Sequence, residues 1–253
     1  MASPEPLQIV SAHRMQTWEN SVLQDRYPIL EFDAAEEALI EPSRIIQSIP
    51  IAERCVACFF KEVIDALVRE GRLKQVACQK SEMGEHPVYE LTVEQQRIAV
   101  YHPGVGAALA AGLLEEVIAL GCKKFIACGS AGSLEKQITL GHIVVPHTAV
   151  RDEGTSYHYL PPGREVEASA EGVAAIESVL KRCGCEYVLA KTWTTDGVFR
   201  ETPAKIQSRR QEGCVVVEME AAAFYAVAKF RKVVFAQLLY GGEIGRASCR
   251  ERV

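Results

Sequence analysis

From Cys55 onward the chain alternates short apolar runs with longer stretches whose apolar residues recur at helical spacing. CVACFF (55–60) reads as a strand, and KEVIDALVREG (61–71) as a helix closed by Gly71. VYELTV (88–93) and QRIAVYHPG (96–104) read as a hairpin-like pair, the first alternating and the second more continuously apolar. GAALAAGLLEEVIALGC (106–122) is a long alanine-leucine helix ending at Gly121, KKFIACGSAG (123–132) a buried strand entering a glycine turn, and GHIVVPHTAV (141–150) a further strand. An amphipathic helix (171–184), a strand (186–197), a strand-to-helix unit (215–230) and an apolar strand (232–242) complete the series. Strand and helix alternate throughout, which predicts an α/β fold rather than segregated α+β. No internal repeat or linker interrupts this region, so residues 49–242 are expected to form one domain. Residues 1–48, with prolines and charges, form a lead-in in which residues 31–47 supply a short helix.

Composition narrows the function classes. Nearly half of the 253 residues are apolar, enough for a three-layer core. The formal net charge of -5, without a long basic run, argues against nucleic acid as an obligatory partner. No apolar segment reaches the ~20 residues needed to span a bilayer. MASPEPLQIVSAHRM lacks the charged start and apolar centre of a signal peptide, so the cytoplasm is expected. Nine cysteines then read as reduced, mostly buried thiols. Cys55 and Cys58 have redox or metal-ligand spacing but lie in an apolar strand with no complementary pair, and packing is the expected role. Cys183 and Cys185 are assigned to packing as well. The six histidines are scattered, so neither a metal nor another cofactor is expected.

Three motifs carry chemistry. The β-branched run Val215–Val217 is followed at once by Glu218, Met219 and Glu220, then by an alanine-rich helix. Two carboxylates at such a junction are costly to bury unless polar groups meet them, and vicinal sugar hydroxyls would do so. Gly129-Ser130-Ala131-Gly132 after an apolar run can present backbone N–H groups and a hydroxyl to an anion. Thr194-Thr195-Asp196-Gly197-Val198-Phe199-Arg200 closes another strand with an aromatic and a cation.

In this order, over roughly residues 50–242, the motifs resemble the nucleoside phosphorylase and nucleosidase family, which has purine and uridine phosphorylase-like members. The resemblance implies a three-layer α/β/α fold around a mixed, partly barrel-like sheet, with the site at strand C-terminal ends. It also implies cleavage of a ribonucleoside by phosphate, a co-substrate, to free base and ribose 1-phosphate. Glu220 would hold the ribose hydroxyls, with Met219 under the sugar and Glu218 beside it. Gly129 and Ser130 would bind phosphate. Thr195, Val198, Phe199 and Arg200 would shape the base pocket, the stacking position falling on Phe199 or Val198. Homo-oligomers, dimers or hexamers, are implied too.

The chain departs from the family pattern. Where phosphorylases carry an arginine three residues before the serine, this sequence has Ala127, and the Gly-Asp-Pro-x-Arg phosphate loop is missing. Arg44, Arg54 or Arg151 could replace these guanidinium groups, some from a neighbouring subunit. In the nucleosidase branch a strand leads into a helix with a catalytic glutamate, and Glu62 aligns there. It reads equally as a solvated residue on the first turn of a helix. A hydrolytic nucleosidase and a non-catalytic nucleoside-binding protein therefore stand as alternatives.

His102-Pro103-Gly104-Val105-Gly106 lacks the third glycine of a dinucleotide loop and reads as a turn that lets the following helix approach the sheet. Arg151 to Tyr159 resembles a stretch of uridine-phosphorylase-like members, where Tyr157, His158 and Tyr159 would suit an interface or a nucleobase. The last eleven residues, EIGRASCRERV (243–253), are charged and non-periodic, and their back-translation matches a sequencing-adapter read-through. The native chain is thus expected to continue past Gly242, with its general acid and a closing helix, and the chain as written to be inactive.

Overall fold

The computed structural model describes residues 24–138 and 140–242. Ten strands among them form one mixed sheet. In chain order these are β1 (Arg54–Cys58), β2 (Lys74–Ser81), β3 (Gly84–Val93), β4 (Gln96–Tyr101), β5 (Lys124–Ser133), β6 (Ile143–Asp152), β7 (Glu165–Glu167), β8 (Tyr187–Thr195), β9 (Cys214–Glu218) and β10 (Val234–Gly241). The helices are α1 (Pro42–Ile45), α2 (Lys61–Arg69), α3 (Ala107–Leu120), α4 (Ala170–Arg182), α5 (Pro203–Gln211) and α6 (Ala221–Phe230).

β5 organises the sheet. Its first eight residues pair in parallel with β10, the first five of them also in parallel with β1 on the other side, and its last two pair antiparallel with β9. β10 also meets β6, which continues through β8 to β9 and back to β5. This closes a five-stranded ring, while β1, β4, β3 and β2 extend from β5 as an open sheet. The α/β expectation holds, including the partly barrel-like sheet. The β3–β4 pair is a hairpin turning through Glu94 and Gln95, both at positive φ.

The switch of partners explains Gly129-Ser130-Ala131-Gly132. These residues are not a turn, as the sequence suggested, but a continuous part of β5. A Cβ at Gly129 would stand 2.9 Å from Phe59 Cδ2, and one at Gly132 would stand 3.0 Å from Val217 Cγ1. The glycines allow β1 and β9 to approach β5 closely, so their role is steric.

α6 is apolar all round and is buried between α3 and the sheet, every residue from Ala221 to Ala228 being inaccessible. Phe224 stacks on Phe235 of β10 at 4.7 Å, and Phe235 on Phe125 of β5 at 5.8 Å. Burying each such ring contributes about 1.5–3 kcal/mol, which holds the N-terminus of α6 against the sheet. Arg231, just past α6, pairs with buried Glu115 of α3 and Glu41 beside α1. The lead-in thereby docks onto α3, although its helix is only the four residues of α1, begun by Pro42.

Candidate active site

The C-terminal ends of β1, β4 and β9 converge on the middle of β5. β9 ends at Glu218, one residue past Val217, which pairs with Gly132 of β5. β1 ends at Cys58 beside Cys128, and Phe59 N–H donates to the Cys128 carbonyl at 3.0 Å. After β4 the chain turns through Gly104 and Gly106, at φ +77° and +92°, directly into α3. A Cβ on Gly104 would lie 2.5 Å from Leu109 Cδ2, so glycine is required there both sterically and conformationally.

Two carboxylates dominate this convergence. Glu218 is buried and accepts four hydrogen bonds. Thr194 Oγ1 (2.6 Å) and Thr192 Oγ1 (3.3 Å) donate to Oε1, and the Glu220 and Ala221 N–H groups (2.7 and 2.6 Å) donate to Oε2. Thr194 Oγ1 in turn accepts from Ala222 N–H at 3.0 Å. Glu218 therefore serves the free N–H groups at the start of α6, where the helix dipole also favours a negative charge. Its oxygens are taken up inside the protein, whereas Glu220 keeps acceptor capacity.

Glu220 is 5% exposed and lies at the head of α6. Its Oε1 accepts one hydrogen bond, from Gly106 N–H at 2.6 Å. Burial, then the charge of Glu218, push its carboxyl up to about 8. Burial also pushes Glu218 upward, but its four donors oppose that. The four donors favour negative charge on Glu218, while Glu220, with one donor and the Glu218 charge beside it, is the member whose proton is held more tightly. No ion pair to either carboxylate occurs among the described residues. A neutral buried carboxyl at the rim of a sheet can exchange hydrogen bonds with vicinal hydroxyls in either direction.

Around these groups lie the remaining candidates. Met219, Ser130 and Val198 are half-buried, and Gly129 is buried. Thr195 is buried and its hydroxyl accepts from Gly197 N–H at 3.2 Å. Phe199 is 89% exposed and Arg200 is exposed, so the base end is an open rim. Glu62 is exposed on the first turn of α2, next to Lys61, which pairs with Asp65.

The substitute arginines do not reach Ser130. Arg54 starts β1 opposite Lys124, six residues before Ser130 on β5, or ~20 Å along the strand. Arg44 is an exposed partner of Glu37. Arg151 is buried and donates to Ser156 Oγ and the Pro161 and Leu160 carbonyls, with its guanidinium over the Tyr157 ring. It thereby fixes the 153–161 loop from within. What borders Gly129 and Ser130 instead is aromatic: Phe59, with Phe60 and Tyr240 stacked at 5.8 Å. A cavity of about 80 Å³ beside them is lined by Phe60, Cys128, Gly129, Ile143 and Leu238 to Tyr240.

Sequence reasoning missed Thr192 and Thr194 as partners of Glu218. Their signal was present, since alternate hydroxyls in β8 share one face, and the register sets Thr194 beside Glu218. It also missed α5. That helix is mostly polar, packs Ile206 on the core and is tied by Lys205 and Arg209 to Asp152, which also accepts from Trp193 Nε1 at 2.9 Å. Cys183 and Cys185 are exposed rather than packed. The adapter-like segment and its expected acid lie outside the described residues.

A family model described as the phosphorylase superfamily matches residues 53–242. The chain belongs to that superfamily. A guanosine phosphorylase of Halorubrum lacusprofundi is 26% identical over 169 residues, 63% of this chain and 68% of that protein. A uridine phosphorylase of Thermococcus kodakarensis is 30% identical over 144 residues, about half (52%) of each chain. In fold, the chain is similar to an AMP nucleosidase from Bacteroides thetaiotaomicron, with a TM-score of 0.66 and 23% identity over 76% of this chain and 81% of that one. No helix among the described residues is long and apolar enough to cross a membrane.

Proposed function

We propose that this phosphorylase-superfamily protein cleaves the N-glycosidic bond of a ribonucleoside with phosphate, giving free base and ribose 1-phosphate. The observation that carries the reading is Glu220, a buried, cation-free carboxyl fixed by Gly106 N–H where three strand ends meet. The relatives named for guanosine and uridine phosphorolysis support the substrate class. In this reading Glu220 holds the ribose 2′- and 3′-hydroxyls and Met219 packs under the ring. The bond from C1′ to the base nitrogen breaks with its electron pair going to the base. A phosphate oxygen, held at Gly129 and Ser130, forms the new bond to C1′. The oxocarbenium-like charge at C1′ is stabilised by that anion. The leaving base takes a proton from an acid expected after β10. Val198, Phe199 and Arg200 contact the base. We further place the protein in the cytoplasm as a homo-oligomer. Support comes from the exposed Leu39, Ile40, Ile45 and Phe199, apolar surface that a subunit contact would cover.

A second reading has a specific observation behind it. The aromatic surround of Ser130, and the placement of Arg44, Arg54 and Arg151 away from it, favour water over phosphate, since phosphate would lose these bidentate partners. Glu62 would then activate the water. The experiment is release of free base from a panel of ribonucleosides, with and without phosphate. Phosphate-dependent release with ribose 1-phosphate as product establishes the phosphorylase. Phosphate-independent release of ribose establishes the nucleosidase, and no release from any nucleoside, with binding retained, leaves a binding protein.

A further inference from the structure

His102 follows β4 immediately and precedes the Gly104–Gly106 turn. Its Nδ1 lies 3.0 Å from Gly104 N, so the ring accepts the Gly104 N–H and its own proton sits on Nε2. The ring is half-buried and meets Phe59, at the end of β1, edge-on at 6.1 Å. Two residues after Gly104, Gly106 N–H donates to Glu220 Oε1 at 2.6 Å. The turn is thus gripped at both ends, by an imidazole on one side and by the sugar-binding candidate on the other.

We propose that His102 is the positioning residue of this site: its Nδ1 holds the Gly104–Gly106 turn, and the turn fixes Glu220 through the Gly106 N–H. This rests on the reading that Glu220 holds the sugar. The grip requires a neutral ring, because a proton on Nδ1 removes the acceptor and opposes one N–H to another. Burial of the ring keeps it neutral by holding its pKa below the ordinary histidine value. The Phe59 backbone opposes this lowering in part, and the titratable neighbours are Lys61 and Asp65 on α2, which pair with each other, and His86 on β3, at 2.8 Å from Ser81 Oγ. The grip is therefore complete above the ordinary histidine range and is lost as pH falls through the depressed pKa of the folded state.

The test uses His102→Leu and His102→Asn in the full chain. Asparagine is the conservative variant, because its side-chain oxygen accepts from the N–H two residues on, as in an Asx turn, and it does not titrate. The first readout is amide hydrogen exchange at Gly104 and Gly106, which needs no activity. His102→Leu is expected to lower protection there by roughly tenfold, the worth of one hydrogen bond, and His102→Asn to keep it. The second readout is nucleoside kinetics. Leu should raise KM by about tenfold, with a smaller change in kcat, and Asn should restore it. Asn should also remove the acid limb of kcat/KM that His102 imposes on the native protein. Unchanged exchange in the Leu variant, an Asn variant as impaired as Leu, or an acid limb that persists in Asn would each overturn the proposal. Absence of nucleoside cleavage in the native protein would sink the functional reading instead, and the exchange data would still decide the role of His102 in the turn.

Discussion

Two strand ends meet the same rim of the sheet and are built in opposite ways. Where β9 passes into α6, Glu218 receives four donors, Glu220 one, and both side chains are buried. Where β8 passes toward α5, the short 3-10 turn Val198–Arg200 has no buried residue, and Phe199 projects into solvent. The first junction is finished before any ligand arrives. The second is held only at its flanks, by Gly154 N–H on Asp196 and by the Asp152 network that ties down α5. Under the proposed function, the sugar end would be pre-organised and the base end completed by the ligand or a neighbouring subunit. Pre-organisation belongs where charge develops, at C1′. Base recognition tolerates a looser frame.

The largest expected effect breaks the finished junction itself. Glu218→Ala removes the acceptor for two threonine hydroxyls and two backbone N–H groups, all buried. Stranding buried donors costs about 1–3 kcal/mol for each group left without a partner, so a loss of roughly 3 kcal/mol or more is expected by denaturant titration. A loss under 1 kcal/mol would show that water reaches the junction and that Glu218 is not its keystone. Glu220→Ala is expected to act on function instead. Losing its two hydrogen bonds to the sugar hydroxyls costs about 1–3 kcal/mol, or roughly five- to hundredfold in kcat/KM, with the fold retained. Wild-type kinetics on ribonucleosides would end the assignment of this residue.

A pH series sharpens the same contrast. The Glu220 carboxyl is held up to about 8, first by burial and then by Glu218. A group raised above its unfolded value contributes stability that is fully present below that value and is lost as pH rises through the folded one. Melting temperature should therefore fall between about pH 4.5 and 8 in the native protein because of Glu220. Glu220→Gln, which cannot ionise, should remove that part of the decline, so the variant gains on the native protein as pH rises to 9. Parallel curves for the two proteins across this range would place the proton elsewhere in the pair.

Legibility in the sequence followed the same division. β9, α6 and the Glu-Met-Glu hinge were readable because burial imposes a pattern: β-branched residues, then charge, then alanine at helical spacing. β5 was readable as a strand, but its glycines suggested a turn. Their cause is the close approach of Phe59 and Val217, from segments some 70 and 85 residues away, which no local pattern displays. β2 is missed for a related reason: the edge strand Lys74–Ser81 has few apolar residues, because only one of its edges is paired. α5 packs Ile206 on the core but is otherwise largely polar and fixed by ion pairs to β6, so no apolar stripe at helical spacing shows in its sequence. His102 was read only as part of a turn, since its grip on Gly104 is a matter of side-chain direction.

The smallest effect is expected at the open end, and its smallness carries the information. Phe199 touches so little of the protein that Phe199→Ala should change stability by no more than ~0.5 kcal/mol. An 89% exposed phenyl ring is a poor use of apolar surface unless something covers it during function. If a nucleobase does, stacking worth about 0.5–1.5 kcal/mol is lost on truncation, and KM for the nucleoside rises by roughly two- to tenfold at unchanged stability. If a second subunit does, the variant should instead shift the sedimentation of the protein toward smaller species, and Val198 becomes the stacking position. Val198→Ala then carries the change in KM. A Phe199→Ala protein unchanged in KM, in assembly and in stability would show that the ring has no part at this rim, and the base end would have to be built from other residues.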